Sequence, residues 1–307
     1  MKSTNFHLFL GALAICGGLT SLTSCSSDDP AGMDGAPVAA QITATIGDHV
    51  ATRAANNSWA EGDKIGITTL RQGVSKYVNM EYTTENGDGV FTGNTMYFQD
   101  KTEPVTFTAY YPFTGTEGTA PGNIEANTDA ANQTSDKQTD IDFLWDQKTS
   151  IKGSDPKVNF KFAHKMSKLT LTFKNGTGAD VSKITSYDIE GLTLDGTFDP
   201  TTGEATVKSD ADATKLTMTV SNVVSGVSVP SLILFPQATG NHTVMLYIHT
   251  NDGQKYGCKL GFSGGEMASG NDYRFTITVN KTGLDVETST IHDWNPVNEE
   301  DLNASLQ

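Results

Sequence analysis

The chain has 307 residues, with 21 Lys and Arg against 36 Asp and Glu, a net charge of −15. This acidity argues against nucleic-acid binding and against attachment to anionic lipid through a basic face. The composition also excludes a long coiled coil and a polytopic membrane protein. Thr, Gly and Asn replace much of the usual charge, which favours strands and turns over helices.

Residues 1–24 have the features of a signal peptide. Lys2 precedes an apolar run from Leu8 to Leu19 that is too short to span a bilayer, which needs ~20 apolar residues. The run ends in Leu22-Thr23-Ser24-Cys25, which resembles the lipobox of bacterial lipoproteins. The resemblance implies that Cys25 becomes the first mature residue and is lipidated. The alternative is an ordinary signal peptide followed by an unrelated cysteine.

Residues 25–38 are predicted to be a lipidated tether. The stretch from Ser26 to Pro30 contains two aspartates and is similar to the surface-export tags of some Gram-negative lipoproteins. Ala31 to Pro37 has no periodic apolar positions and is rich in Gly and Ala, which is typical of a flexible linker.

Residues 39–155 are predicted to form a first domain. Alternating apolar residues predict strands at Gln41 to Ile46, Asp63 to Leu70 and Pro104 to Tyr110, and an apolar run predicts another at Ile141 to Trp145. Residues 114–140 have almost no large apolar side chain, so we expect an exposed loop that folding does not require. A turn around Pro156 places the boundary between residues 155 and 156.

Residues 156–307 are predicted to form a second domain of similar kind. The predicted strands are Lys168 to Phe173, Leu216 to Val220, Ser231 to Phe235, a hairpin from Thr243 to Leu260, Tyr273 to Val279, and a short strand near Ile291. No segment of ten residues has a convincing helical period. The sequence therefore predicts an all-β chain of two β-sandwich domains.

Catalytic and cofactor motifs are absent from the sequence, and we expect no enzyme activity, no cofactor and no metal. Asp136, Asp140 and Asp142 form the best carboxylate cluster, but solvated loop acids are favoured over a calcium site. His242 and His249 are seven apart on a predicted strand and should point to opposite faces. Cys258, which is the one cysteine after Cys25, is interpreted as a small buried apolar residue.

Other residues have both a binding and a structural interpretation. Asn56-Asn57-Ser58 matches a glycosylation sequon, a pattern common by chance. Tyr110, Tyr111 and Trp145 could stack on sugar rings, although aromatics in such a chain are more often core. His164 is interpreted as structural.

Four short motifs, in this order along residues 25–296, resemble the fimbrillin-like family of cell-surface lipoproteins, which are related to type V pilins. The motifs are Thr52-Arg53-Ala54 with Trp59, Gly62, Asp63, Ile65 and Gly66; Tyr110-Tyr111-Pro112-Phe113; Phe162 to Leu169; and Ser269 to Tyr273 with Ile291 to Trp294. The resemblance implies two transthyretin-like sandwiches and a structural or adhesive subunit of a fimbrium or pilus. It also implies assembly with other fimbrial subunits by donor-strand exchange, after an Arg-specific protease removes an N-terminal strand.

The protease is expected to cut between Arg53 and Ala54. The chain has three arginines, and Arg53 lies in a polar stretch between two predicted strands, whereas Arg274 lies inside a strand. Arg71 is intermediate because a turn follows it. The cut would detach the strand from Gln41 to Ile46 and expose a sheet edge. The alternative function is a monomeric surface lipoprotein that binds glycan or protein ligands without polymerising, where a ligand could come from a host.

Overall fold

The computed structural model describes residues 37–47, 58–209, 212–240, 243–287 and 289–294. The fold is 51% strand and 5% helix in several sheets, which confirms the all-β prediction. In the described residues the strands of the N-terminal half are β1 (Gln41–Ile46), β2 (Lys64–Leu70), β3 (Met80–Thr83), β4 (Val90–Gly93), β5 (Val105–Tyr111), β6 (Ile124–Asn127), β7 (Leu144–Ile151) and β8 (Lys157–His164).

The remaining described strands follow after His164. They are β9 (Ser167–Asn175), β10 (Ile184–Leu192), β11 (Asp195–Asp199), β12 (Glu204–Val207), β13 (Thr214–Thr219), β14 (Leu232–Leu234), β15 (Gln237–Ala238), β16 (Met245–Thr250), β17 (Lys255–Lys259), β18 (Glu266–Met267), β19 (Asn271–Asn280), β20 (Gly283–Val286) and β21 (Thr290–Asp293). The helical turns are one short α-helix, α1 (Gln138–Ile141), and 3-10 turns at Ala130–Asn132, Val181–Lys183 and Ser263–Gly265.

Seven N-terminal strands close into a barrel in the order β1-β4-β3-β2-β5-β7-β8. Its interior holds alternate residues of each strand, because successive side chains of a strand point to opposite faces. Ile65, Ile67, Phe107 and Phe160 are all at most 2% exposed there. Since β8 completes this barrel, we propose that the domain boundary lies after His164, rather than between residues 155 and 156.

The C-terminal half is a sandwich of two sheets. One sheet has the order β13-β10-β16-β17, and the other has the order β14-β9-β19-β20 with β21 paired to β19. A single apolar core contains residues from both sheets, among them Leu171 and Phe275 from one and Ile189 and Ile248 from the other. The alternating Leu and Thr pattern of β9 therefore reflects one buried and one outer face.

A third core joins the two halves. β6 pairs antiparallel with β11 of the C-terminal half. Phe143 and Phe198 stack face to face at 4.6 Å between ring centroids, in a cluster that includes Tyr110 and Trp294. Aromatic stacking of this kind adds to the area that the rings bury. The two halves are therefore joined by an apolar cluster and a strand pairing.

The expectation that residues 114–140 form an exposed loop is wrong. The segment contains β6 and most of α1, and Gln133 is only 4% exposed. The Gln133 amide accepts from the Ile233 N–H at 2.9 Å and donates to the Ile233 carbonyl at 2.8 Å and to the Thr128 carbonyl at 2.9 Å. Gln133 can be buried because its amide is fully hydrogen-bonded. Its burial leaves no trace in the pattern of apolar residues, from which buried segments are usually predicted.

The predicted strand from Ile141 to Trp145 is also partly wrong. Ile141 ends α1, and β7 begins only at Leu144. Both Ile141 and Phe143 are buried between the halves. A short apolar run does not by itself distinguish a strand from a buried turn of helix.

Candidate functional site

The slot that holds β1 is the candidate functional site. β1 pairs parallel with β8 along its whole length, from Gln41 opposite Lys157 to Ile46 opposite Phe162. On its other side it pairs antiparallel with β4 over only two residues, Ile42 and Thr43. The strand was predicted from its alternation, and Ile42, Ala44 and Ile46 are 4%, 4% and 6% exposed.

Trp59 closes the slot from the side of the barrel interior. Its indole N–H donates to the Ala44 carbonyl at 2.9 Å. Its ring lies edge-on to Phe91, Tyr111 and Phe162, with centroid separations of 5.1, 5.5 and 5.4 Å. Sequence reasoning identified Trp59 as an anchor near a strand end, but not its hydrogen bond to β1.

Gly89 lets the chain approach β1 more closely than any side chain would allow. Its φ is +81°, and a Cβ there would lie 2.4 Å from the Ala44 carbonyl oxygen. The Ala44 N–H donates to the Gly89 carbonyl at 2.8 Å. The hairpin before β4 was predicted from the sequence Asn86 to Gly89, but its contact with β1 was not.

Two ionisable groups lie where β1 ends. The Tyr111 hydroxyl donates to Asp63 at 3.1 Å. Burial raises the pKa of Asp63, although the Ala60 N–H and Tyr111 hydroxyl oppose this. Burial and the nearby Asp63 carboxylate raise the pKa of Tyr111 well above its ordinary value. Asp63 and Tyr111 therefore form a hydrogen-bonded pair beside the end of β1, and Tyr111 is protonated at neutral pH.

The predicted processing and lipidation residues lie outside the described part of the chain. Cys25 precedes residue 37, and Arg53 and Ala54 belong to residues 48–57, which connect Gly47 to Ser58. The other two arginines are described. The Arg71 guanidinium binds Glu103 and also donates to Gln99 at 2.7 Å, and Arg274 lies in β19 with its Nε 2.8 Å from Asp272.

The histidine and carboxylate candidates from the sequence do not come together in one site. The His164 Nδ1 lies 2.8 Å from the Asp142 carboxylate, and its ring stacks on Trp294 at 4.0 Å. Asp140 lies instead beside Lys137. Throughout the ranges that the structure describes, no three His, Cys, Asp or Glu residues are arranged to hold a metal ion.

The aromatic candidates for sugar stacking are mostly core residues. Tyr110 and Tyr111 are 3% and 8% exposed. Trp145 is partly buried and donates its indole N–H to the Pro200 carbonyl at 3.0 Å.

Cys258 is half-buried on β17, and burial raises its thiol pKa to about 11. His242 and most of the sequon lie outside the described residues.

Among the helices of the described residues, none has the length and apolar character that a membrane span requires.

Comparison with known proteins identifies relatives that match most of the chain. A family model described as fimbrillin-like matches residues 52–294. A Bacteroides uniformis protein assigned as the fimbrium subunit Fim1C is 33% identical over 295 residues, covering 90% of this chain and 92% of the relative.

Two solved structures have the same fold over most of the chain. One, assigned as a cell adhesion protein from Bacteroides ovatus, has 30% identity and a TM-score of 0.71, covering 85% of this chain and 99% of that one. Another, with the same assignment from Bacteroides uniformis, has 28% identity and a TM-score of 0.68, covering 84% and 99%.

Proposed function

The chain belongs to the fimbrillin-like family, and we propose that it is a structural or adhesive subunit of cell-surface fimbriae, exported as an outer-membrane lipoprotein through Cys25. Fimbrial subunits of the same or another kind are its partners. The observation that carries the proposal is β1, a complete strand of the barrel that leads directly into residues 48–57 and so into Arg53.

Removal of β1 by an Arg-specific protease would open the barrel. Cleavage between Arg53 and Ala54 leaves Trp59 in the body of the subunit but takes away the Ala44 carbonyl that its indole N–H binds. The edges of β4 and β8 then lose their hydrogen-bonding partner, and Phe91 and Phe162 lose the cover of the β1 side chains. Such an edge with an apolar groove binds another strand readily.

The C-terminal segment of a second copy has the sequence to replace β1. Leu302-Asn303-Ala304-Ser305-Leu306 repeats the order of Ile42-Thr43-Ala44-Thr45-Ile46: large apolar, polar, Ala, hydroxyl, large apolar. Ala304 is the important match, because Ala44 is only 4% exposed in the barrel core, where a larger side chain would overpack its neighbours. We propose donor-strand exchange in which these residues of the next subunit fill the slot.

Charge fixes the register in this proposal. If the donor runs in the direction of β1, Asp301 takes the place of Gln41, which lies opposite Lys157 on β8. Opposite charges on neighbouring strands stabilise a pairing, and like charges destabilise it. The acidic residue before the apolar repeat therefore favours one orientation and one register.

The test of processing is N-terminal sequencing of protein recovered from cells, together with electron microscopy of filaments sheared from the surface. We expect the assembled chain to begin at Ala54. Arg53→Ala should prevent filaments, and the matched variant Arg53→Lys should also prevent them while keeping the charge, because the protease is Arg-specific. Filaments whose subunits retain residues 25–53 would contradict the cleavage and favour an anchor subunit, whereas absence of the chain from all filaments would favour the monomeric surface lipoprotein.

The test of the donor segment is a pair of charge substitutions. Leu302→Asp with Leu306→Asp should abolish filaments, since both side chains enter the groove. Asn303→Asp with Ser305→Asp adds the same charge on the outer face and should reduce assembly far less. For the register, Asp301→Lys should weaken assembly and Lys157→Asp should restore it in the double variant. Equal loss in both leucine and polar pairs would exclude this donor.

A further inference from the structure

A cavity of about 240 Å³ opens at the end of the barrel where β1 begins. Its walls include Thr69, Tyr77, Met96, Tyr97, Phe98 and Phe107. Met96, Phe98 and Phe107 are at most 3% exposed, whereas Val74 and Tyr97 in the same lining are 69% and 44% exposed. The cavity therefore has an apolar floor and an apolar mouth open to solvent.

Polar contacts outside the floor hold these walls in place. The Tyr97 N–H donates to the Tyr77 hydroxyl at 2.9 Å, and the Thr69 N–H donates to the Tyr77 carbonyl at 2.9 Å. Arg71 crosses the rim to Gln99 and Glu103. These contacts hold the walls of an open, largely apolar cavity in a fixed arrangement, which is typical of sites that bind small molecules.

One wall depends on the N-terminal segment. The Ala40 N–H donates to the Met96 carbonyl at 2.9 Å, and the Phe98 N–H donates to the Val38 carbonyl at 2.9 Å. Ala39 and Tyr97 form an isolated antiparallel bridge between these two bonds. Met96 and Phe98 are thus held in the lining by residues just before β1.

We propose that this cavity binds a small planar aromatic ligand of one or two rings, and that it does so better while residues 38–46 occupy the barrel. The size supports this class, because an apolar cavity of about 150 Å³ is enough for benzene. Tyr77, Phe98 and Phe107 offer ring faces and edges to an aromatic guest. Arg71 and Gln99 lie at the rim, where a polar substituent would be.

Ligand binding and the position of β1 are thermodynamically linked. A ligand that favours the state with β1 in place stabilises that state by the same factor by which β1 improves its affinity. If β1 is released for strand exchange, as the proposed function has it, the ligand would retain β1 after cleavage and delay the exchange. Only this consequence rests on the proposed function.

The test is calorimetric titration of the full-length protein with indole. We expect saturable one-site binding, and roughly tenfold or greater weakening in Val105→Phe, which fills the cavity from its lining, and in Tyr97→Ala, which removes its rim. Leu70→Ala is the matched control, because Leu70 is 46% exposed but does not line this cavity, and it should bind like the wild type. Circular dichroism checks that each variant is folded.

The outcomes separate the two halves of the proposal. Absence of saturable binding, or equal binding in Val105→Phe, overturns the site and leaves the proposed assembly untouched. Ala40→Pro removes the N–H that binds Met96 and should weaken indole binding about threefold or more. Wild-type affinity in that variant, with loss in Val105→Phe, overturns the linkage to the N-terminal segment.

Discussion

At the scale of single residues, Gly89 determines whether β1 can lie in its slot. We predict that Gly89→Ala lowers the free energy of unfolding by about 2–4 kcal/mol, because the new Cβ meets the Ala44 carbonyl oxygen and the φ of +81° is strained for Ala. Gly118→Ala is the control, since Gly118 has a φ of +84° and nothing within 4 Å of its Cβ position. Denaturant unfolding of both variants measures the difference; equal losses would show that the contact with β1 adds nothing.

Asp188 links stability to acid pH. Burial alone would raise its pKa, but hydrogen bonds from Thr217 and His249, with Lys215 nearby, hold the pKa of this carboxyl below its ordinary value of 3.8. A carboxyl with a lowered folded-state pKa stabilises the fold above its unfolded pKa, and the contribution disappears as pH falls through the folded value.

We therefore predict that Asp188→Asn is less stable than the wild type at pH 7 and loses less stability between pH 7 and the most acidic conditions. The change falls below the ordinary carboxyl pKa, where Asp188 takes up its proton. Thermal unfolding across that range measures it. Asp129→Asn is the comparison, because that carboxylate caps a turn and its described hydrogen-bond donors are neutral groups of Ala131 and Asn132. Parallel pH curves for wild type and Asp188→Asn would contradict the prediction.

At the scale of elements, the sequence predicts strands well where apolar residues alternate. β1 has the predicted bounds, and the ends of β2, β5 and β19 lie within two residues of the predicted ones. β6 and α1 were missed because each has only four residues, and the few apolar residues that they place against the core, Ile124 and Ala126 in β6 and Ile141 in α1, are too few to form a period. Gln133 reaches Ile233 across 100 positions of sequence, a contact that local patterns do not encode.

The polar segment is consequently a structural element, and its removal should be costly. We predict that Gln133→Ala lowers the free energy of unfolding by about 2–4 kcal/mol, since it leaves the Ile233 N–H and carbonyl buried without their partner. Gln147→Ala, at an exposed amide bonded to Thr108, should change it by about 0.5 kcal/mol or less. Chemical denaturation compares the two. Similar small effects would restore the view of residues 114–140 as dispensable.

At the scale of the whole molecule, the parallel pairing of β1 with β8 could not be predicted from sequence. The two strands lie more than a hundred residues apart, and the alternation of each fixes which face is buried but not its neighbour. Short motifs identified the family and drew attention to Arg53. The slot, the Trp59 hydrogen bond and the approach of Gly89 required the three-dimensional fold.

A disulfide between β1 and β8 would distinguish cleavage of the chain from release of the strand. Thr43 and Asn159 are direct neighbours on β1 and β8, and the Thr43 hydroxyl donates to the Asn159 side-chain oxygen at 2.7 Å on the exposed face. Paired positions on adjacent strands lie within the Cα separation that a disulfide spans. We therefore expect Thr43→Cys with Asn159→Cys to form a disulfide without disturbing the core.

In that variant an Arg-specific protease should still cut after Arg53, because residues 48–57 are unchanged. The cut strand should stay attached, however, so no filaments should form until a reductant releases it. Thr43→Cys alone is the control and should assemble like the wild type with or without reductant. Non-reducing electrophoresis follows the attached strand and electron microscopy follows assembly. Filaments from the oxidised, cut double variant would mean that β1 need not leave the barrel, and the slot would then lose its role as the assembly site.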